Sequence, residues 1–597
     1  MSVRKGKNYG CVGVEKSLSG KKWLYRNLDE RKIAYFVQKY NFPEILARIL
    51  VARHIEENAL TSFLHPTLKH NLPDPYILKD AEKTALRIVE SIERHEKIGI
   101  MGDYDVDGAT SSALLKLFLE SLGIKTRVFI PDRDDGYGPN IEQMEIFYKD
   151  GIRLVATVDC GMTAFEPIDY GTKLGLDIVI IDHHEPERML PNAYAVVNPK
   201  RLDEDKDNPC HSMAAVGVVF LVVVAINRLL RERGFFKNRE APDLKKWLDL
   251  VAFGTVCDVV PLKGVNRLFV QTGLKQVRRS QNIGLKALVE ISKISEPVGA
   301  YHLGYILGPR INAGGRVGQS DLGMKLLSTF DEIEAQTIAA DLEDLNVLRR
   351  EIETQVLEEA DIQAQKAIEE GKQYLLVHGN AWHQGVVGIV AGRLKEKYNL
   401  PCFALSIEKG EAKGSSRSIP GIDLGTIVIT ALQKGILLRG GGHPMAAGFS
   451  LEEGKIKEFE DFLTDFIQKA SENIHDTSSE LEIDGVLDIK GVTVDLLKRL
   501  DILEPYGESN PEPRFVIQNV LIKKTIITKN GHVICKLSGQ TGGYLDAVCF
   551  RAEETEIGKA LLSNSPGQGY NIAGYLRLDT WRGKNKVQLF IQDVAKV

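Results

Sequence analysis

Short apolar runs alternate with helix-periodic segments from about residue 81 to residue 323. Each run stops before a glycine, a proline or a polar residue, which is typical of buried strands. The pattern predicts five strands, over 98–101, 126–130, 154–158, 178–181 and 193–197. Because helices separate these strands in the sequence, we expect a parallel sheet of the α/β class.

The periodicity changes on either side of this region. Residues 330–370 are charged, contain no glycine or proline, and place apolar residues such as Ile338, Leu342 and Val356 on one stripe, so they predict a long connecting helix. The N-terminal part predicts helices over 30–40, 43–53 and 55–63. We therefore expect a helical segment (1–75), a parallel-sheet α/β domain (76–328), a connecting helix (329–372), a smaller α/β domain (373–471) and a C-terminal β-barrel (472–597).

Composition narrows the class of protein. The chain has 597 residues, too many for one ordinary domain, and its 43% hydrophobic and 26% charged residues are typical of a globular protein. Seven cysteines without CxxC pairs argue against a zinc ribbon or a disulfide framework and favour the cytoplasm. We expect no membrane span or secretory signal, because the longest apolar run, 214–226, is that of a core helix. With a net charge of −5, nucleic acid could bind only at local basic patches.

The first predicted strand ends in three alternating aspartates, Asp103, Asp105 and Asp107. Open α/β sheets bind their ligands at the carboxyl ends of the strands. Three carboxylates this close repel one another unless a cation lies between them. The alternative is an acidic, solvated turn or a helix cap.

Three more acidic positions follow apolar segments in the same domain: Asp159, the sequence Asp182-His183-His184, and Asp258. Each one alone could be a cap, but a shared metal site explains all of them together. Carboxylates and imidazoles without thiolate pairs suit Mg²⁺ or Mn²⁺, and the imidazoles favour Mn²⁺. So many ligands suit two bridged ions, roughly 3.5–4 Å apart, which predicts metal-dependent hydrolysis of phosphoesters.

A series of motifs then makes the chain recognisable. GDYDVDG, PDRDDGYG, TVDCG, DHH and GTVCDVVPL, in that order, resemble the motifs of the DHH phosphoesterase superfamily. GPRINAGGR (308–316), GGGHPMAAG (440–448) and LEPYGESNPEPRF (503–515) resemble its single-strand-specific 5′→3′ DNA exonucleases of bacteria. The resemblance extends from about residue 70 to the C-terminus. Gly314 stands where the family commonly has alanine, which removes no polar group.

The resemblance implies a centre of two Mn²⁺ or Mg²⁺ ions. The implied ligands are Asp105, Asp107, Asp159, His183 and Asp258, of which Asp107 and Asp159 are the expected bridges. Asp103 either binds a metal or supports the ligands. His184 would lie beside the scissile phosphate, where it stabilises charge or protonates the leaving oxygen.

The resemblance also implies substrate-binding residues. Arg133 and Tyr137 follow the second strand, although Arg133 could instead pair with neighbouring aspartates. Arg310, Asn312 and Arg316 either clamp a phosphate or brace a turn. In the DHH-associated second domain, Ser415, Arg417 and His443 lie in segments rich in Gly and Ser, which either bind the 5′-terminal phosphate or form plain turns.

The predicted barrel mixes basic and aromatic residues, as an OB-fold that binds single strands by charge and stacking does. They are Lys523, Lys524, Lys529, Lys536, Arg577, Arg582, Lys584 and Lys586, with Tyr570, Tyr575, Trp581 and Phe590. The alternative is a solvated barrel whose aromatic residues form the core.

The expected function is a single-stranded-DNA-specific 5′→3′ exonuclease that releases 5′-mononucleotides in recombination and repair. We expect it to act as a monomer on a single strand with a 5′ end, with a helicase and a single-strand-binding protein as partners. One alternative is a small-substrate relative, such as an oligoribonuclease, a cyclic-dinucleotide phosphodiesterase or a pyrophosphatase, but these generally lack the barrel. Another is an inactive replication-fork scaffold, against which the full set of expected ligands argues.

Overall fold

The computed structural model describes residues 9–11, 13–26, 28–133, 136, 138–471, 480–540, 542–563, 567–579 and 586–597. The chain packs into two compact units. The larger unit comprises residues 72–260 and 269–475, and the smaller unit comprises 1–71, 261–268 and 476–597.

A five-stranded parallel sheet forms the centre of the larger unit. Its strands, in spatial order, are Thr126–Phe129, Ile98–Gly102, Leu154–Val158, Asp177–Ile181 and Ala195–Val197. All five residues of Ile98–Gly102 and of Leu154–Val158 are buried, because helices cover both faces of the sheet. The predicted parallel sheet is confirmed.

Helices surround this sheet. They are Ala81–Glu93, Val106–Ser121, Ile141–Lys149, Phe165–Leu174, Ala215–Glu232, Leu248–Cys257, Gly264–Val277, Ile283–Ile291, Ala300–His302, Gly308–Val317 and Leu322–Ser328, with a π-helix over Leu303–Leu307. The apolar run at 214–226 lies in the buried helix Ala215–Glu232. Within the described part of the chain, no helix combines the length and hydropathy needed to cross a bilayer.

One 38-residue helix, Glu332–Glu369, begins where the Asp331 side chain accepts hydrogen bonds from the Ile333 and Glu334 amides. It leads to a second sheet, whose strands in spatial order are Arg439–His443, Ala446–Glu452, Glu411–Arg417, Cys402–Glu408 and Leu375–Asn380. Only the last two strands pair in parallel. Helices Gln384–Tyr398, Leu424–Gln433 and Ile456–Ser471 accompany this sheet.

The smaller unit contains a closed five-stranded barrel, which confirms the predicted OB-like fold. Around the barrel the strands are Phe515–Ile527, Val533–Ser538, Tyr544–Cys549, Lys586–Lys596 and Tyr570–Asp579, and the last pairs with the first. Gly485–Leu487 adds one strand parallel to the first, and the helices are Val494–Leu500 and Glu556–Ser563.

The N-terminal segment contains strands that the sequence pattern did not predict. Its helices are Glu30–Tyr40, Glu44–Ala52, Glu57–Leu64 and Leu68–Asn71, but Tyr9–Cys11 and Lys22–Arg26 are strands. Lys22–Arg26 pairs in parallel with Glu480–Ile483. The buried Trp23 indole donates a hydrogen bond of 2.8 Å to the buried Asp593 carboxylate.

A buried arginine joins separate segments of the smaller unit. Arg267 is 1% exposed and lies over the Phe63 ring. Its guanidinium donates to four backbone carbonyls: Phe63 at 2.7 Å, Leu503 at 3.1 Å, Ile502 at 3.3 Å and Glu504 at 2.7 Å. Burial lowers its pKa to about 10. The planar fork of donors therefore satisfies carbonyls that would otherwise be buried without partners.

We predict that Arg267→Lys destabilises the smaller unit by about 2–5 kcal/mol, since an ammonium cannot reach all four carbonyls and each orphaned group costs ~1–3 kcal/mol. Hydrogen–deuterium exchange of the barrel strands in increasing urea measures this loss. Arg278→Lys is the control, because Arg278 is an exposed arginine of the larger unit whose described hydrogen bond is to the Val298 carbonyl. Equal exchange in the two variants would contradict the bracing role of Arg267.

Candidate metal centre

Three neighbouring strands of the parallel sheet end in the acidic and histidine residues. Asp103 follows Ile98–Gly102, Asp159 follows Leu154–Val158, and His183 stands two residues after Asp177–Ile181. Because these strands are parallel and adjacent, their carboxyl ends meet at one edge of the sheet. Asp258 reaches the same place from the C-terminal end of helix Leu248–Cys257.

Helix termini hold two of the carboxylates. Asp105 caps helix Val106–Ser121, and its side chain accepts from the Gly108 amide at 3.0 Å. The two carboxylate oxygens of Asp107 accept from the Ala215 and Val216 amides, at 2.6 and 3.0 Å. These amides open helix Ala215–Glu232, whose dipole favours a negative charge there.

Local backbone geometry fixes the position of Asp159. Its φ is +59°, in the left-handed region that aspartate tolerates better than most residues, and its amide donates to the Ile181 carbonyl at 3.0 Å.

At Gly108, a Cβ would lie 2.3 Å from the Asp103 carbonyl oxygen, so glycine lets the loop that carries Asp103 and Asp105 pack closely against the start of helix Val106–Ser121.

The side chains meet around the His183 ring. Its Nε2 lies 3.3 Å from Asp159 Oδ1 and 3.8 Å from Asp107 Oδ2, and its Nδ1 lies 3.6 Å from Asp258 Oδ2. One ligand atom each from Asp103, Asp105 and Asp159 also lies within 4.8 Å of the other two. All the predicted metal ligands therefore come together in overlapping groups of three.

The donor set fits a divalent cation. Asp103 Oδ1, both ring nitrogens of His183 and Asp258 Oδ2 are buried without a hydrogen-bond partner among the described residues. Burial, together with neighbouring carboxylates, raises the pKa of Asp103 to about 8 and those of Asp107 and Asp258 to about 7. Burial and the Asp107 charge also raise the pKa of Asp159. Ordinary proteins do not leave such atoms orphaned, and cations would both satisfy and neutralise them.

The pKa values of the two adjacent histidines are shifted in opposite directions. Burial lowers the pKa of His183, which favours the neutral ring that a metal requires. Burial also opposes protonation of His184, but its Nδ1 lies 2.7 Å from Asp182 Oδ1, and this hydrogen bond raises the pKa of His184 to about 9. The Asp182 carboxylate therefore favours the protonated ring of His184.

Asp182 is a site residue that the sequence analysis noted but did not assign a role. Its carboxylate accepts from the Met162, His183 and His184 amides and from the His184 ring. Burial would raise its pKa, but the His184 hydrogen bond and charge lower it, so this carboxylate stays ionised. Its place beside two histidines in the sequence was the available signal.

Arg133 lies beside the aspartate loop. Its guanidinium stacks 4.5 Å from the centre of the Tyr104 ring, and its Nε donates to the Gly315 carbonyl at 3.2 Å. Tyr104, between Asp103 and Asp105, was missed because aromatic residues in motifs usually belong to the core. Tyr137 lies outside the described residues, as do Asp134 and Asp135.

Arg310, Asn312 and Arg316 lie in helix Gly308–Val317 despite its three glycines. Arg310 forms an ion pair with Glu343 and donates to the Ile306 carbonyl at 2.6 Å, and Asn312 is half-buried. Arg316 donates to the Gly385 carbonyl at 2.8 Å. Burial, then the charges of Arg133, Arg349 and Arg417, lower its pKa to about 10, so these guanidinium groups form a crowded basic cluster.

Ser415 and Arg417 lie on strand Glu411–Arg417, facing the start of helix Gln384–Tyr398. A Cβ on Gly388 of that helix would lie 2.9 Å from Ser415 Oγ and 3.4 Å from an Arg417 terminal nitrogen. Arg417 donates to Ser415 Oγ at 3.2 Å, and burial lowers its pKa. The register aligns Arg417 with Ala446, and Ala446 with the exposed His443. His443 thus lies two strands away from Arg417.

One predicted basic residue and one predicted aromatic residue of the barrel are engaged within the protein itself. Arg577 is paired with Glu512 at 2.7 Å, and Tyr570 is 1% exposed and belongs to the core. Lys536 lies 5.1 Å from the centre of the Tyr544 ring, which is 66% exposed and was not predicted as a contact. Trp581, Arg582 and Lys584 lie outside the described residues.

Comparison with known proteins agrees with the fold and the site. Three family models match: the N-terminal domain of the DHH family over residues 97–255, the DHHA1 domain over 371–469, and the RecJ OB domain over 483–593. The parallel sheet with its edge of aspartates and histidines is thus that of the DHH class.

Proteins of similar sequence identify the family within this class. The chain is 33% identical to the single-stranded-DNA-specific exonuclease RecJ of Bacillus subtilis, over 96% of this chain and 71% of that protein. It is 32% identical to RecJ of Escherichia coli, over 92% of this chain and 96% of that protein. The chain belongs to the RecJ family.

Solved structures of RecJ have a similar fold. RecJ of Thermus thermophilus in complex with Mn²⁺ superposes with a TM-score of 0.80, at 27% identity, over 96% of this chain and 79% of that chain. The same protein in complex with Mg²⁺ gives a TM-score of 0.72, at 26% identity, over 96% and 78%.

We predict that the affinity for Mn²⁺ rises with pH between about 6.5 and 8.5. Carboxyls with pKa values of about 7 and 8 hold protons below those values, and a metal must displace them. The affinity therefore increases by about tenfold per pH unit for each proton released. Titration calorimetry in buffers of different ionisation enthalpy measures both the affinity for Mn²⁺ and the number of protons released on binding. Affinity that is independent of pH, with no proton release, would contradict this account.

Proposed function

We propose that the chain is a single-stranded-DNA-specific 5′→3′ exonuclease that uses two Mn²⁺ or Mg²⁺ ions to hydrolyse phosphodiester bonds and release 5′-mononucleotides. The observation that carries the proposal is the group of seven acidic and histidine side chains at one sheet edge, four atoms of which are buried without hydrogen bonds among the described residues. RecJ relatives along nearly the whole chain support the choice of substrate.

Asp105, Asp107, Asp159, His183 and Asp258 hold the ions in this proposal. Asp107 and Asp159 both approach His183 Nε2, at 3.8 and 3.3 Å, which supports them as bridges between two ions. Two ions held by these residues would activate water and stabilise charge on the phosphoryl group. Asp103 stands beside them and either binds a metal or supports the ligands.

His184 acts on the leaving group. Asp182 keeps its ring oriented and protonated, and the ring lies 3.9 Å from Asp159 Oδ1, against the ligands. The imidazolium donates a hydrogen bond to the scissile phosphate or a proton to the departing 3′-oxygen. Cleavage of the bond between the scissile phosphorus and this 3′-oxygen releases a nucleotide that keeps its own 5′-phosphate.

The basic cluster binds the 5′-terminal phosphate. Burial, and then the charges of Arg133 and Arg417 among others, lower the pKa of Arg316, and an anion bound beside these guanidinium groups would offset both the burial and the repulsion. Ser415 adds a hydroxyl beside Arg417. Arg310, Asn312 and His443 are proposed as further substrate contacts, and Tyr137, outside the described residues, stays a prediction from the sequence. Anchoring the end of the strand opposite the metals favours exonuclease over endonuclease action.

The cellular setting follows from this substrate. A single strand with a free 5′ end arises during recombination and repair, so a helicase that unwinds DNA and a single-strand-binding protein are the proposed partners. We propose that the chain works as a monomer in the cytoplasm.

We predict that the wild-type protein with Mn²⁺ or Mg²⁺ releases mononucleotides from the 5′ end of labelled single strands and leaves duplexes intact. EDTA or Asp159→Asn reduces the rate by about three orders of magnitude or more, because a bridging ligand is lost. Asp207→Asn, at an exposed aspartate of the same unit, is the control.

Other outcomes identify the alternatives. Hydrolysis confined to dinucleotides or pyrophosphate would assign the chain to the small-substrate enzymes. Binding of single strands without any hydrolysis would assign it to the scaffolds.

We predict that Arg417→Ala abolishes the preference for a 5′-phosphate over a 5′-hydroxyl on otherwise identical oligonucleotides. The rate on phosphorylated strands falls by about 10–100-fold, since a buried charge-assisted contact is lost, while the rate on hydroxyl ends changes little. Lys409→Ala, an exposed position in the same sheet, should behave as the wild type. Full activity of Arg417→Ala on phosphorylated ends would remove this pocket from the proposal but leave the nuclease assignment intact.

A further inference from the structure

Two exposed tyrosines of the larger unit face each other beside the metal centre. Tyr301 is 51% exposed and Tyr305 is 76% exposed. Their rings are stacked, with centroids 5.2 Å apart and an interplanar angle of 28°. We call Tyr301 and Tyr305 the tyrosine pair.

The backbone that carries the pair has an unusual conformation. Residues Leu303–Leu307 form a π-helix, between Ala300–His302 and helix Gly308–Val317. Short π-helical turns are rare and occur frequently at functional sites. Here the π-helix begins between the two tyrosines and includes Tyr305.

This π-helix rests on the helix that carries Asp258. The Leu303 carbonyl accepts from Cys257 Sγ at 3.4 Å, and Cys257 directly precedes Asp258. A Cβ on Gly304 would lie 3.4 Å from a Val256 methyl, and one on Gly308 would lie 2.6 Å from Cys257 Sγ. Glycine at these positions lets the backbone below the pair approach the metal-centre helix closely.

The same helical run reaches the other side of the centre. At its far end, a Cβ on Gly315 would lie 3.1 Å from Tyr104 Cβ, next to Asp103 and Asp105. Arg310, one turn beyond the pair, donates to the Ile306 carbonyl of the π-helix. The tyrosine pair therefore stands on an element held at both ends by the metal centre, with a guanidinium close by.

Packing within the protein does not account for the exposure of the pair. Two apolar side chains spaced i, i+4 on a helix stabilise it only slightly, and burying the rings would be more favourable than exposing them. Val259, adjacent to Asp258, is likewise 66% exposed and apolar. Exposed aromatic and apolar groups next to a functional centre mark a surface for a ligand.

We propose that the tyrosine pair is a stacking site for unpaired bases of the single strand as it passes the Asp258 side of the metal centre. The inference rests on the proposed function and extends it to a substrate contact outside the phosphate pocket. Tyrosine rings stack on any base, so the contact tolerates every sequence. Only a strand whose bases are not paired can offer them, so the pair also favours single strands over duplexes.

The experiment compares Tyr305→Ala and the Tyr301→Ala/Tyr305→Ala double variant with Tyr305→Phe, which keeps the ring. Steady-state digestion of a 5′-phosphorylated oligonucleotide with Mn²⁺ should show KM raised about tenfold by the alanine variants, with kcat changed less than twofold. Tyr305→Phe should match the wild type. Tyr148→Ala removes a partly exposed tyrosine from helix Ile141–Lys149 and is the control.

A second readout locates the contact. An abasic nucleotide is placed at successive positions from the 5′ end, and binding is measured by fluorescence anisotropy in EDTA. The wild type should lose affinity at the one or two positions that stack on the pair, and Tyr305→Ala should be insensitive there. Equal abasic profiles for the wild type and Tyr305→Ala, with unchanged KM, would overturn the stacking site.

The two proposals fail in different ways. If the wild-type protein leaves single strands intact, the proposed nuclease function fails. If the wild type digests single strands and the alanine variants do so with the same KM and the same abasic profile, only the stacking site fails. Because the pair is exposed, these substitutions should leave the melting temperature unchanged, and a thermal melt verifies it.

Discussion

Electrostatic crowding at one edge of the parallel sheet is the constraint around which the larger unit is built. Five aspartates and two histidines form overlapping groups of three, and within each group the ligand atoms lie within 4.8 Å of one another. The fold neutralises part of this charge itself: a helix N-terminus binds Asp107, and backbone amides bind Asp182. The charge that remains on Asp103, Asp159 and Asp258 is left for cations to neutralise.

The electrostatic environment differs sharply between the two neighbouring histidines, His183 and His184. His183 points between carboxylates yet has a lowered pKa, because burial outweighs their charges. His184, one residue later, hydrogen-bonds to an ionised partner and has a raised pKa. One ring is thus suited to bind a metal and the other to donate a proton, and the difference comes from Asp182, whose charge the backbone amides keep in place.

The sequence predicted the sheet and the residues at its edge, because a strand end is a local signal and parallel strands share an edge. It did not predict strands whose partners are remote, such as Lys22–Arg26 with Glu480–Ile483. It also could not reveal that Gly314 and Gly315 belong to a helix, because glycines usually indicate turns. The glycine at 315 is explained only by the close approach of Tyr104, which comes from a distant segment. The ion pair of Arg310 with Glu343 and the burial of Tyr570 are likewise results of packing between distant segments.

The hydrogen bond from Trp23 to Asp593 joins residues 570 positions apart, and it bears on how the chain is made. On the ribosome the N-terminal strand emerges first, yet its β-partner at Glu480–Ile483 follows tens of seconds later at ~5–20 residues per second. The larger unit, encoded between them, has all its residues first and can complete its core. The smaller unit is therefore the last to close, and until then the edge of Lys22–Arg26 that pairs with Glu480–Ile483 lacks this β-partner.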